Sequence, residues 1–98
     1  MKPALFTVYQ ICNPEDVGDM RKGHIGLTKQ LPSTLFEKFV GRAIKGTIAN
    51  KALGTLLMKD PEAHIFVVSK FYDESRAKAY YAHLMLERGE LELQAQAQ

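Results

Sequence analysis

The sequence predicts an α+β fold in which helices flank a small antiparallel three-stranded sheet, in the order β-β-α-α-β-α. Three observations carry that expectation. Two short runs with strand character, residues 5–12 and 24–27, lie either side of one turn-rich connection. Two segments with apolar residues three and four apart follow between residues 33 and 59. A continuous apolar run over residues 64–71 then leads into a last helical segment.

The first run alternates, with Phe6, Val8 and Gln10 pointing one way and Leu5, Thr7, Tyr9 and Ile11 the other, as in a half-buried strand. Asn13, Pro14, Glu15, Asp16, Gly18 and Asp19 are turn formers, Pro14 fixing φ and Gly18 open to positive φ. With the second run this makes a hairpin with a long, irregular loop. Pro32 and Ser33 then start a helix, with Ser33 as N-cap and Glu37 in the first turn. Leu35, Phe36, Phe39, Val40, Ala43 and Ile44 form its buried stripe, and Lys38, Arg42 and Lys45 a basic ridge on the opposite face. Gly46 ends or weakens this helix.

Asn50 is the expected cap of a second helix, with Ala52, Leu53, Leu56 and Leu57 inward, and Asp60-Pro61 stops it. The apolar run at residues 64–71 predicts a strand buried on both faces and central in the sheet. Asp73 or Ser75 caps the last helix, which Ala77, Tyr80, Tyr81, Leu84, Met85 and the Arg88 stem line, and Gly89 is a natural stop. Residues 1–89 thus form one domain, and residues 90–98 a polar tail, frayed helix or disordered.

Ninety-eight residues suffice for a single core. No apolar run reaches the roughly 18–20 residues of a membrane span, so no membrane partner is expected. The N-terminus turns polar too soon for a signal peptide. One cysteine, Cys12, excludes an internal disulfide and makes a reducing, cytoplasmic setting the default. The formal charge of +2 hides an asymmetry: residues 21–59 carry eight lysines and arginines against Glu37 alone, a balance of +7. Such a segment fits nucleic acid or an acidic protein surface. His24, His64, His83 and Cys12 lack the spacing of a structural zinc site, and no phosphate-cradling glycine motif or nucleophile elbow is present.

Thr7-Val8-Tyr9 followed by His24-Ile25-Gly26 resembles the paired words that open the GIY-YIG nuclease domain. Tyr9, Ile25 and Gly26 match the family pattern, Val8 is conservative, and Thr7 and His24 depart. Residues 5–88 follow the family's order of elements. The resemblance implies metal-assisted phosphodiester hydrolysis by hairpin tyrosines, an arginine in the first helix and a glutamate in the last. Tyr9 keeps the first tyrosine and His24 replaces the second. At the arginine's place stand Ser33, Thr34, Leu35 and Phe36, and at the glutamate's Ala79, Tyr80, Tyr81, Ala82 and His83.

With both charges missing, the expectation is a degenerate domain that binds nucleic acid or an acidic protein through Lys29, Lys38, Arg42 and Lys45. It would act as a non-catalytic inhibitor or regulator of the kind phages and mobile elements carry, needing no cofactor. The alternatives are an active, divergent endonuclease using Tyr9 and His24 with Mg²⁺ or another divalent metal, and a protein-docking adaptor.

Overall fold

The fold is built around a strand that water does not reach. The structure, a computed structural model, describes residues 5–97, with side chains described to residue 89; residues 1–4 and 98 lie outside the described residues. β1 (Phe6–Cys12) is buried along its whole length. β2 (His24–Thr28) pairs with it antiparallel on one edge, with Tyr9 opposite Gly26 and Ile11 opposite His24. β3 (His64–Phe71) pairs with it antiparallel on the other, from Phe6 opposite Phe71 to Cys12 opposite His64. The sheet order is β2-β1-β3, so the architecture is α+β, with the expected succession of elements.

The central strand is β1, however, and the apolar run at residues 64–71 is an edge. Val67 is 47% exposed and His64 and Lys70 face water, whereas the strand expected to be half-buried is covered on both faces. An unbroken apolar run does not distinguish a central strand from an edge strand with one face packed. The pairing also slips between Val8, opposite Ser69, and Tyr9, opposite Val67, which leaves Val68 as an extra residue. This bulge gives β3 the irregularity common in edge strands, and Val68 packs into the cluster around Val8.

Helices cover the two faces. Leu35, Phe36 and Phe39 of α1 (Pro32–Lys45) and Leu53, Leu56 and Leu57 of α2 (Lys51–Lys59) close over Tyr9, Ile11 and Ile65. Leu84, Tyr80 and Tyr81 of α3 (Glu74–Ala97) close over Val8 and Ile25. Capping explains several local departures from expectation. The N-cap of α1 is Leu31, without a side-chain bond, because Pro32 takes the first helical position, where its missing N–H costs nothing. Ser33 therefore lies inside the helix and Glu37 beyond the first turn.

Ile44, placed in the buried stripe, is 70% exposed, since the helical turn carries it past the line from Phe36 to Ala43. Gly46 ends α1 in the left-handed region (φ 73°), its N–H donating to the Ala43 carbonyl. Asn50 caps α2 as expected, Oδ1 accepting the Leu53 N–H at 3.1 Å, but Ala52 faces outward. Asp73 rather than Ser75 caps α3, accepting the Ser75 N–H at 3.0 Å. Met85 is 39% exposed. Gly89 does not stop the helix; it has no positive φ, and the backbone continues helical to Ala97.

One polar side chain organises the hairpin loop. Gln10 has no exposure, so its amide must find all its partners inside the protein. Its Nε2 donates to the carbonyls of Asp19 (2.8 Å) and Lys22 (3.1 Å), with that of Asp16 at 3.5 Å. Its Oε1 accepts the Gly18 N–H at 3.1 Å. The loop begins with a 3-10 turn at Pro14–Asp16 capped by Asn13, whose Nδ2 also holds Asp60 Oδ2 at 3.0 Å. Cys12 is a buried free thiol at the end of β1, where it fills the core as a small apolar side chain. Among the described residues no helix is long and apolar enough to cross a membrane.

Gln10→Leu keeps the volume but strips these partners from the loop. It should cost about 1–3 kcal/mol in urea unfolding, the range for leaving buried polar groups unmatched. Amide exchange should accelerate in residues 13–23 before it does in β3.

Candidate functional site

The Ile-Gly word of β2 has a steric reason. Tyr9 lies opposite Gly26, and its ring, from Cε1 to Oη, occupies the space a β-carbon at Gly26 would need. Glycine here makes room for an aromatic neighbour across the strand pair. The same packing sets the chemistry of the phenol. Burial, and secondarily the neighbouring Tyr81, push the Tyr9 pKa up to about 12. Tyr9 therefore stays protonated at neutral pH and can donate a hydrogen bond, but it is a poor base.

His24 lies 5.9 Å from the Tyr9 ring, centroid to centroid, and 6.3 Å edge-on from that of Phe39. Burial, then the charge of Arg88, lowers its pKa, which favours neutral imidazole with one donor and one acceptor nitrogen. The structure thus brings the two hairpin residues singled out in the sequence into one neighbourhood.

Beside them opens a cavity of about 560 Å³ at the junction of three elements. Gly23, His24 and Ile25 contribute from the start of β2, and Asn50, Ala52, Leu53 and Leu56 from α2. Tyr81, Met85 and Arg88 contribute from α3, where their spacing of four and three puts them on one face. The Arg88 Nη2 donates to the Gly23 carbonyl at 2.9 Å, tying α3 to the start of β2. No lining residue is a carboxylate; the one formal charge on the wall is the guanidinium. Among the described residues no three His, Cys, Asp or Glu side chains gather as metal ligands would.

Asn50 and Arg88 are site residues that the sequence alone shows only as a helix cap and an apolar stem. The 81/85/88 spacing was the available signal, but it becomes meaningful only when β2 is known to lie beneath it.

The basic residues are distributed differently. Lys38, Arg42 and Lys45 are exposed along α1, and among the described residues Lys38 Nζ meets only the neutral Gln30 Oε1 at 3.1 Å. Lys29 is drawn elsewhere, its ammonium 5.2 Å from the centre of the Phe6 ring. A second groove, of about 510 Å³, runs between α1 and α2, with Ala43, Ile48 and Met58 in its walls and Lys51 and Lys59 beside it.

Comparison with protein-family models, with curated proteins and with solved structures finds no match to this chain.

Two outcomes test this geometry. Gly26→Ala should destabilise the fold by about 1–3 kcal/mol through overpacking, and adding Tyr9→Ala should cancel part of that loss in a double-mutant cycle. The second concerns pH. Because the folded pKa of His24 lies below its ordinary 6.5, the unfolded chain binds more protons as the pH drops through 6.5. This group's contribution to stability is therefore complete above pH 6.5 and is lost on acidification. His24→Phe should flatten that part of the stability–pH curve in urea titrations.

Proposed function

We propose that this domain binds nucleic acid without cutting it, on a degenerate GIY-YIG-like scaffold, and acts as an inhibitor or regulator rather than an enzyme. The observation that carries the reading is the uncompensated charge of α1. Among the described residues the ion pairs are Arg21–Asp19, Arg76–Asp73 and Lys78–Glu74. None uses Lys38, Arg42 or Lys45. A surface that neutralised its own lysines would satisfy the stability of the fold alone. One that leaves them facing water offers phosphates a place to displace their counterions.

The cavity supports the non-catalytic half of the reading. A hard divalent cation is held chiefly by carboxylates, and the residues lining the wall beside His24 include none. A phenol protonated to about pH 12 is also ill suited to activating water. The family resemblance rests on Tyr9, Ile25 and Gly26, and the free thiol of Cys12 fits a reducing cytoplasm.

The test is the salt dependence of binding to duplex DNA. Each phosphate that is no longer neutralised should lower the log–log salt slope by about 0.9, so Lys38→Glu with Arg42→Glu should reduce it by about 2. The unfolding midpoint should barely move, since exposed charges add little to stability. An unchanged slope would refute the nucleic-acid reading. Tight association with an acidic protein, weakened by the same pair, would redirect it to that partner.

A further inference from the structure

The cavity beside His24 has features that the basic ridge does not explain. Its volume, about 560 Å³, lies in the range of small-molecule sites. Its walls combine the apolar side chains of Ile25, Leu53 and Leu56 with a tyrosine ring, an amide and an imidazole. A bare phosphate would leave the apolar walls wet. A purely apolar ligand would leave the polar groups without a match. A nucleobase meets both demands, being flat and apolar on its faces and polar at its edge.

We propose that this cavity receives an unpaired nucleobase of a single-stranded nucleic acid, stacked against Tyr81 and contacted at its edge by Asn50 and His24. The proposal rests on the nucleic-acid reading above and adds which form of nucleic acid is preferred.

Two details carry the assignment. The Asn50 amide is held by its cap to the Leu53 N–H through Oδ1, which leaves Nδ2 to donate to a ring nitrogen or carbonyl. His24 in its neutral form supplies one donor and one acceptor, the complement of a base edge. A base inside a duplex is stacked on both faces and cannot enter, whereas a base in a single strand is already exposed. Aromatic stacking of this kind is tolerant of sequence, so the site discriminates strandedness more than base identity.

The probes are a twelve-nucleotide oligothymidine carrying one central 2-aminopurine and the same strand annealed to its complement. Binding is followed by anisotropy of a terminal dye and by 2-aminopurine fluorescence. The expected result is tighter binding of the single strand, with the 2-aminopurine signal changing at saturation. Tyr81→Leu should weaken single-strand binding about tenfold, the scale of removing one stacked ring, and leave duplex binding unchanged. Ala52→Met, at an outward-facing lining position, should narrow the cavity and do the same without disturbing the core.

Lys38→Glu with Arg42→Glu should weaken both probes and leave the 2-aminopurine change at saturation intact. Single-strand binding that is ridge-dependent but insensitive to Tyr81→Leu and Ala52→Met, with no 2-aminopurine change, overturns the cavity proposal and leaves the binding domain standing. Failure of both probes to bind overturns both.

Discussion

A strand paired on both edges and covered on both faces has no access to water, so each of its polar atoms must be matched inside the protein. β1 is in that position, and the consequences run outward from it. Its edges engage β2 and β3 through the backbone. Its two faces call for separate apolar covers, which α1 with α2 and α3 supply. Its one long polar side chain, Gln10, turns toward the loop that leaves the strand and gives that loop its shape. Among the described residues no buried side-chain polar atom is left without a partner.

Much of this is legible in the chain itself. Alternation marks β1, Asn50 and Asp60-Pro61 bound α2, and the run at residues 64–71 gives β3 its limits. What local patterns do not reveal is rank. Period and composition describe a segment's own faces, but which strand lies in the middle depends on partners far along the chain. The run richest in valine and isoleucine became an edge, and one carrying a glutamine and a threonine became the centre. Gly89 illustrates the same limit, since glycine permits a stop without enforcing one.

The candidate site is half legible for a related reason. Tyr9 and His24 are evident because they sit in a short hairpin word, where sequence neighbours are also spatial neighbours. Asn50 and Arg88 reach the cavity that His24 lines from the start of α2 and from α3, so only the tertiary arrangement brings them there. The charge pattern behaves in the opposite way. A helix fixes its own faces, so the exposure of Lys38, Arg42 and Lys45 follows from spacing, whereas Lys29, outside the helix, is drawn toward Phe6. The cavity and the ridge are thus distinct chemical surfaces, one largely apolar with directional polar groups and the other a row of exposed cations.

The hairpin connection between β1 and β2 is long, polar and rich in turn formers, the profile of a segment into which a protein engineer would splice an epitope or a fluorescent reporter. Its attachment to Gln10 argues for choosing elsewhere. A graft within residues 16–22 would pull the loop carbonyls off an amide rooted in the middle of the sheet, and the disturbance would reach the core directly. The short link between α1 and α2 exposes Thr47 and Ala49, and its hold on the core is the single side chain of Ile48, packed against the cluster of Tyr9 and Ile11, so an insertion that leaves Ile48 in place is the safer way to open the chain.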